Sequence, residues 1–156
     1  MTRILVFASA FSRLHADLTI VRLKRAGIAP SLISIIHPLS SRPNSAKCWL
    51  GGSAKLRLKS GEKIAASGFL RQLFEESRHD STADSFDEML CSLGLPHENR
   101  LSLEDTLLEN RVVIAIDAID KAEFPTVFQT LQRSGAEKIF AADVARSPKR
   151  KLAAAA

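Results

Sequence analysis

The pattern of apolar and polar positions along this chain is stated twice. Ile4, Leu5, Val6 and Ala8 form one apolar run, and Val112, Val113, Ile114 and Ile116 stand at a fixed offset from them. At the same offset and without a gap, Phe11 aligns with Ile119, Ser12 with Asp120, Ile20 with Phe128, Leu23 with Leu131, Arg25 with Arg133 and Gly27 with Gly135. Each copy reads as strand, capped amphipathic helix, glycine stop and second strand. An unbroken apolar run suits a strand buried on both faces. In the first copy Ser9 or Ser12 is placed to cap the helix by accepting a free backbone N–H. Phe11, Leu14, Leu18, Val21 and Leu23, with Ile20, recur at helical spacing and read as its apolar stripe. Gly27 supplies a left-handed stop. Leu32 to Ile36 form the next strand, which His37-Pro38 ends because proline cannot donate to a ladder.

In the second copy Asp120 and Glu123 have the spacing of a capping box. Pro125 fits only the first turn of a helix, so either the helix starts near Phe124 or its first turn is distorted. Phe124, Val127, Phe128 and Leu131 give the stripe, Gly135 the stop, and Lys138 to Ala142 the last strand. Two such units predict an α+β, ferredoxin-like fold of duplicated βαβ units with a long mixed insertion between them. The expected layout is a single domain over 1–145, with halves 3–37 and 111–143, an insertion over 38–110, and a basic, disordered tail over 146–156. Ile4–Ala8 and Val112–Ile116 should be central neighbours, with Leu32–Ile36 and Lys138–Ala142 at the edges. The right-handed crossover rule puts both long helices on one face. The other face needs cover from the insertion or from a second subunit.

The insertion is mixed. Ser40 to Ala46 reads as a loop and Gly51-Gly52 as a turn. Lys55, Leu56, Arg57, Leu58 and Lys59 alternate strictly, which favours a strand that Ser60-Gly61 ends. Phe69, Leu70, Leu73 and Phe74 recur at helical spacing, and 78–83 is a polar, mobile stretch. Ser85 with Glu88 opens a short helix that Gly94 and Pro96 close. Ser102 with Asp105 opens another, running to about Asn110.

Several of these features together resemble one family. Gly94-Leu95-Pro96, the acidic Glu104 and Glu109, the strand Val112-Val113-Ile114-Ala115-Ile116, and then Leu131, Gly135 and Ala136 are similar to the bacterial general-stress family of heat-induced and low-temperature-induced proteins. The stretch from Ile4 to Ile36 fits that family's opening unit. The resemblance implies a stress-associated, non-catalytic role and carries over no catalytic residue. The chain departs from the family between the units. Trp49, the basic Lys55–Lys59 segment and acidic helices stand where members carry a Gly/Ala-rich apolar segment, so the membrane association that segment implies does not transfer.

Composition adds bounds. With 46% hydrophobic residues the chain can bury a sizeable core. Cys48 and Cys91 match no metal or redox spacing and read as reduced thiols of a cytoplasmic protein. No apolar run approaches the ~20 residues of a membrane span, and Met1 to Leu5 run straight into a strand pattern, so no signal peptide is expected. The net charge of +5 is uneven. Residues 42–63 hold six basic groups and one acidic, 75–109 hold ten acidic and two basic, and 146–151 add four basic groups. Such blocks can dock on each other or form solvated faces.

Candidate chemistry is thin. His15, His37, His79 and His97 have no partner at metal-ligand spacing. His15 reads as the polar side of a helix, and His79-Asp80 lacks a second ligand set. Lys47 beside Cys48 could lower a thiol pKa, but packing beside Trp49 is the simpler reading. Gly51-Gly52 with Lys55 lacks the ending of a phosphate loop. No catalytic, cofactor-binding or metal residue is therefore assigned. A ferredoxin-like sheet binds RNA through aromatics on its central strands, and only Phe7 is available here. The expected function is a non-catalytic, stress-associated protein acting by self-association, as a homodimer, or by binding a protein partner. The alternative is an anion-binding module, for nucleic acid or an acidic partner, with Lys55, Arg57, Lys59, Lys149, Arg150 and Lys151 as contacts.

Overall fold

The computed structural model describes residues 3–38, 53–77, 85–118 and 124–144. The first unit is β1 (Arg3–Ala10), α1 (Arg13–Arg25), a 3-10 turn (Pro30–Leu32) and β2 (Ile33–Pro38). The insertion supplies β3 (Ser53–Arg57), β4 (Lys63–Gly68), α2 (Phe69–Ser77), α3 (Phe86–Leu93) and α4 (His97–Leu108). The second unit is β5 (Val112–Ala118), α5 (Phe124–Arg133) and β6 (Glu137–Val144).

The six strands make one antiparallel sheet in the order β3-β4-β2-β5-β1-β6. The two most apolar strands are central neighbours, with Val6 opposite Ile116 and Ala8 opposite Ile114. β5 lies between β1 and β2, and β1 lies between β5 and β6, so each unit's strands are split by a strand of the other. β6 is an edge. β2 is not: β4 pairs along it from Ser34–Gly68 to Pro38–Ile64, and β3 pairs with β4, so the outer edge is a strand of the insertion. Ile36 and Ile35 thereby gain neighbours on both sides, which an isolated βαβ unit would not supply.

Local caps follow the chemistry of the residues. Ser12 takes the N-cap of α1, its hydroxyl accepting from the His15 amide at 3.1 Å, while Ser9 is buried within β1. At the end of α1, Ile28 N–H donates to the Leu23 carbonyl at 3.0 Å around Gly27 at φ +98°. At the end of α5, Ala136 N–H donates to the Leu131 carbonyl at 3.1 Å around Gly135 at φ +78°. Both are the same left-handed closure at the same offset. α5 begins at Phe124, so Pro125 sits in its first turn, where a proline is tolerated. The Asp120–Glu123 capping box, the 40–46 loop, Gly51-Gly52, the 78–83 stretch, Cys48, Trp49, His79 and the 146–156 tail lie outside the described residues.

In the insertion, Ser85 caps α3 and Gly94 ends it at φ +91°. The following helix does not open at Ser102. It starts at His97, with Pro96 as N-cap residue, because proline has no N–H to leave unsatisfied and its fixed φ leads into the helix.

Two apolar layers sandwich the sheet. On one side α1 and α5 bring Ala16, Ile20, Leu23, Val127 and Leu131 onto Val6, Ile33, Ile35, Ile114 and Ile116. On the other, the insertion brings Leu70, Phe86, Leu90, Leu103 and Leu107 onto Leu5, Phe7, Ile36, Val113 and Ala115. The second face is thus covered within the chain, which removes the uncovered sheet face as a reason for a dimer.

Candidate functional site

α1 has two apolar faces. Ala16, Thr19, Ile20 and Leu23 point into the core. Leu14, Leu18 and Val21 are 69%, 52% and 43% exposed. At about 100° per residue these two sets centre on opposite sides of the helix. Of the apolar stripe read from the sequence, Ile20 and Leu23 therefore face the core, while Phe11, Leu14, Leu18 and Val21 do not. Thr19 sits inside at no polar cost, since its hydroxyl donates to the His15 carbonyl at 2.8 Å. Arg22, Lys24 and Arg25 occupy the last turn of α1, where positive charge also favours the helix dipole. The outward stripe therefore has a basic flank.

The N-terminal end of this helix is held firmly. His15 Nδ1 accepts from the Phe11 N–H at 3.0 Å, so Nε2 carries the proton and donates to the Ser134 carbonyl at 2.5 Å. His15 is not simply a polar surface residue: it ties α1 to the end of α5. The Phe11 ring stacks on His15 at 5.4 Å, and the Arg111 guanidinium lies over the Phe11 ring, 5.0 Å from its centroid. Arg22 Nη1 donates to the Arg133 carbonyl at 3.2 Å. These contacts fix how α1 presents Leu14, Leu18 and Val21.

The basic segment has the alternation the sequence implies. Lys55, Arg57 and Lys59 are exposed and Leu56 and Leu58 buried. Lys59 is drawn to Asp87 at 3.7 Å, and Arg100 holds the same carboxylate at 3.0 Å. The basic and acidic blocks therefore dock on each other at this point. Lys149, Arg150 and Lys151 lie outside the described residues. Phe7 cannot serve as a base-stacking platform: it is fully buried, stacked on Phe140 at 5.2 Å, beneath the insertion.

Two buried titratable groups stand out. His37 Nδ1 donates to the Pro38 carbonyl at 3.1 Å, and Nε2 has no hydrogen-bond partner among the described residues. Burial lowers its pKa, the bond to Pro38 opposes that, and Arg13 adds to the lowering. The unfolded chain then binds a proton near the ordinary value of 6.5, while the folded chain resists it. Stability from this group is full above that value and is lost as pH falls towards the folded pKa, at a slope of at most about 1.4 kcal/mol per pH unit. Denaturant midpoints measured from neutral to mildly acidic pH should fall, and His37→Leu should flatten the slope. An unchanged slope would show that His37 does not set it.

Glu104 is the other such group. Burial raises its pKa, against the pull of Lys59 and with the push of Asp87 and Asp105. Its Oε1 has no hydrogen-bond partner among the described residues. It stands beside the Lys59–Asp87–Arg100 cluster.

Other chemistry finds little foothold. Among the described residues no three His, Cys, Asp or Glu side chains gather to hold a metal ion, and no helix is long and apolar enough to cross a membrane. Cys91 is a free, exposed thiol. An open cleft of about 360 Å³ is lined by Ile4, Phe124, Ala141, Ala142 and Asp143, and of these only Asp143 could orient a polar ligand. No family model, curated protein or solved structure matches this chain.

Proposed function

We propose that this is a non-catalytic, cytoplasmic protein that works by self-association or by binding a protein partner, with the outer face of α1 as its contact surface. The observation that carries this reading is the apolar stripe Leu14, Leu18 and Val21, exposed opposite the core and flanked by Arg22, Lys24 and Arg25. A row of apolar side chains on a rigidly held helix is what a helix-in-groove or helix-on-helix contact uses. The resemblance to the bacterial general-stress proteins agrees with a binding role and suggests a stress-associated one. The same reading takes 3–37 and 111–143 as duplicated units of a ferredoxin-like arrangement. The split strand order and the matched closures at Gly27 and Gly135 support it.

A photo-crosslinking residue at position 18, used in living cells, tests the contact surface. Discrete adducts are expected there and none from the exposed Gln129 on α5. Adducts no stronger at position 18 than at 129 would overturn the reading.

The alternative is anion binding through Lys55, Arg57 and Lys59, which project together from the edge strand β3 and the turn after it. It expects affinity for DNA or RNA that falls steeply with salt, and a flatter slope once the three are replaced by alanine. No binding at low salt would leave these residues as a solvated edge that resists strand pairing.

A further inference from the structure

We infer that the partner of α1 is a second copy of this chain, and that the surface it meets is the outer face of α4. This rests on the reading of α1 as a contact face and names its occupant. On α4, Leu103 and Leu107 face the core while Leu101 and Leu108 are 41% and 45% exposed. Leu101 and Leu108 are seven residues apart, as are Leu14 and Val21, so each helix offers apolar groups two turns, or about 10.5 Å, apart. The charges around them are opposite. Glu98 and Asp105 are exposed beside the α4 leucines, and Arg22, Lys24 and Arg25 flank the α1 stripe. Pairing α1 with α1 would bring the basic flanks together, and pairing α4 with α4 the acidic ones. Pairing α1 with α4 brings apolar groups onto apolar groups and opposite charges alongside them.

Topology then decides the form of the assembly. α1 lies in the layer on one face of the sheet and α4 in the layer on the other. One copy thus carries both complementary surfaces on opposite sides, and a pair of copies always leaves one of each unsatisfied. The contact is heterologous, and growth proceeds to a ring or an open chain rather than stopping at a dimer. One helix pair buries less than the roughly 800 Å² per partner of a stable complex, so the association should be weak, concentration-dependent and salt-sensitive.

The test uses light scattering and sedimentation on the full chain with two variants, each checked for an unchanged denaturant midpoint. Leu18→Asp blocks the α1 face and adds a charge that repels α4. Leu101→Asn with Leu108→Asn removes the apolar groups of the α4 face. The parent chain should grow past twice the monomer mass as concentration rises and should shrink again in high salt. Each variant alone should be monomeric, and a mixture of the two should stop at one copy of each. That mixture is diagnostic, because it joins the one intact α1 to the one intact α4. Self-association by the α4 variant but not by Leu18→Asp would overturn the inference in favour of an α1–α1 contact. A parent that stays monomeric but floats with anionic vesicles, and loses that with Leu18→Asp, would keep α1 as a contact face while overturning the second copy as its occupant. A monomeric parent with no crosslinks from position 18 would remove both.

Discussion

Gly68→Ala should cost about 3 kcal/mol or more, placing it among the severe single substitutions. Gly68 ends β4 at φ +88°, directly against β2. A Cβ there would collide with the Ile33 carbonyl oxygen and stand 2.9 Å from Ser34 Cα, both backbone atoms of β2 that cannot rotate away. Relief would require separating β4 from β2 or unwinding the start of α2, which follows immediately. Gly27 offers the contrast. Its φ is also positive, but nothing among the described residues lies within 4 Å of where a Cβ would stand, so Gly27→Ala should cost only the left-handed strain of about 1 kcal/mol. Gly135 is similar, meeting only His15 Nε2 at 3.7 Å. The Gly27 and Gly135 substitutions should be nearly additive. Denaturant midpoints for the three variants give the ranking. A Gly68→Ala protein as stable as Gly27→Ala would show that β4 does not approach β2 this closely.

Phe86→Ala should cost about 3–5 kcal/mol, as much as Phe7→Ala, although Phe86 belongs to the insertion and Phe7 to the first unit. Both side chains are fully buried in the same layer. Truncating either leaves a cavity between the sheet and α2, α3 and α4. Because these helices form the only described cover of that face, the loss should appear as one cooperative transition with a lower midpoint, with the calorimetric enthalpy equal to the van't Hoff enthalpy from far-ultraviolet circular dichroism. Two separate transitions, with the insertion melting first and the sheet persisting, would mean that the insertion is an independent unit resting on the sheet.

The strands β1 and β5 and the helices α1 and α5 were legible because their signals are local. Continuous apolar runs, a serine cap that falls at Ser12 and not Ser9, and glycine stops at Gly27 and Gly135 each act within a few residues. β4 was not legible. Its run Ile64-Ala65-Ala66-Ser67-Gly68 is built from small residues with no strong alternation, and all but the last are buried on both faces by neighbours distant in sequence. Small side chains there let α2 follow without a loop, and no local pattern records that. The edge position of β2 failed for the same reason, since its extra neighbour comes from outside the unit. The beginning of α4 is hidden in the sequence because Pro96, a signal that ends α3, also opens the next helix.

α1 is more instructive. Its apolar residues at helical spacing form one stripe by sequence, but they divide between two faces: Ile20 and Leu23 lie inside, and Leu14, Leu18 and Val21 outside. The inner face is built around Ala16 and Thr19, small enough to let α1 lie close to the sheet, with the hydroxyl satisfied by its own helix. The larger leucines are left outside. Periodicity identifies the faces of a helix; only the sheet's geometry chooses between them. The basic segment shows the same limit. Its alternation was plain, while the engagement of Lys59 by Asp87 depends on a fold that brings 59 and 87 together.

The central claim is that α1 has one face for folding and another for binding. Denaturant unfolding of Leu18→Asp beside Leu23→Asp tests it most directly. Leu23 is fully buried and Leu18 is half exposed. An aspartate at 23 should be severely destabilising, by about 4 kcal/mol or enough to unfold the chain, because it buries an unpaired charge in an apolar layer. An aspartate at 18 should leave the midpoint within about 0.5 kcal/mol of the parent. Comparable losses at the two positions would contradict the account, since Leu18 would then be part of the core and α1 would lose the centre of its proposed contact face.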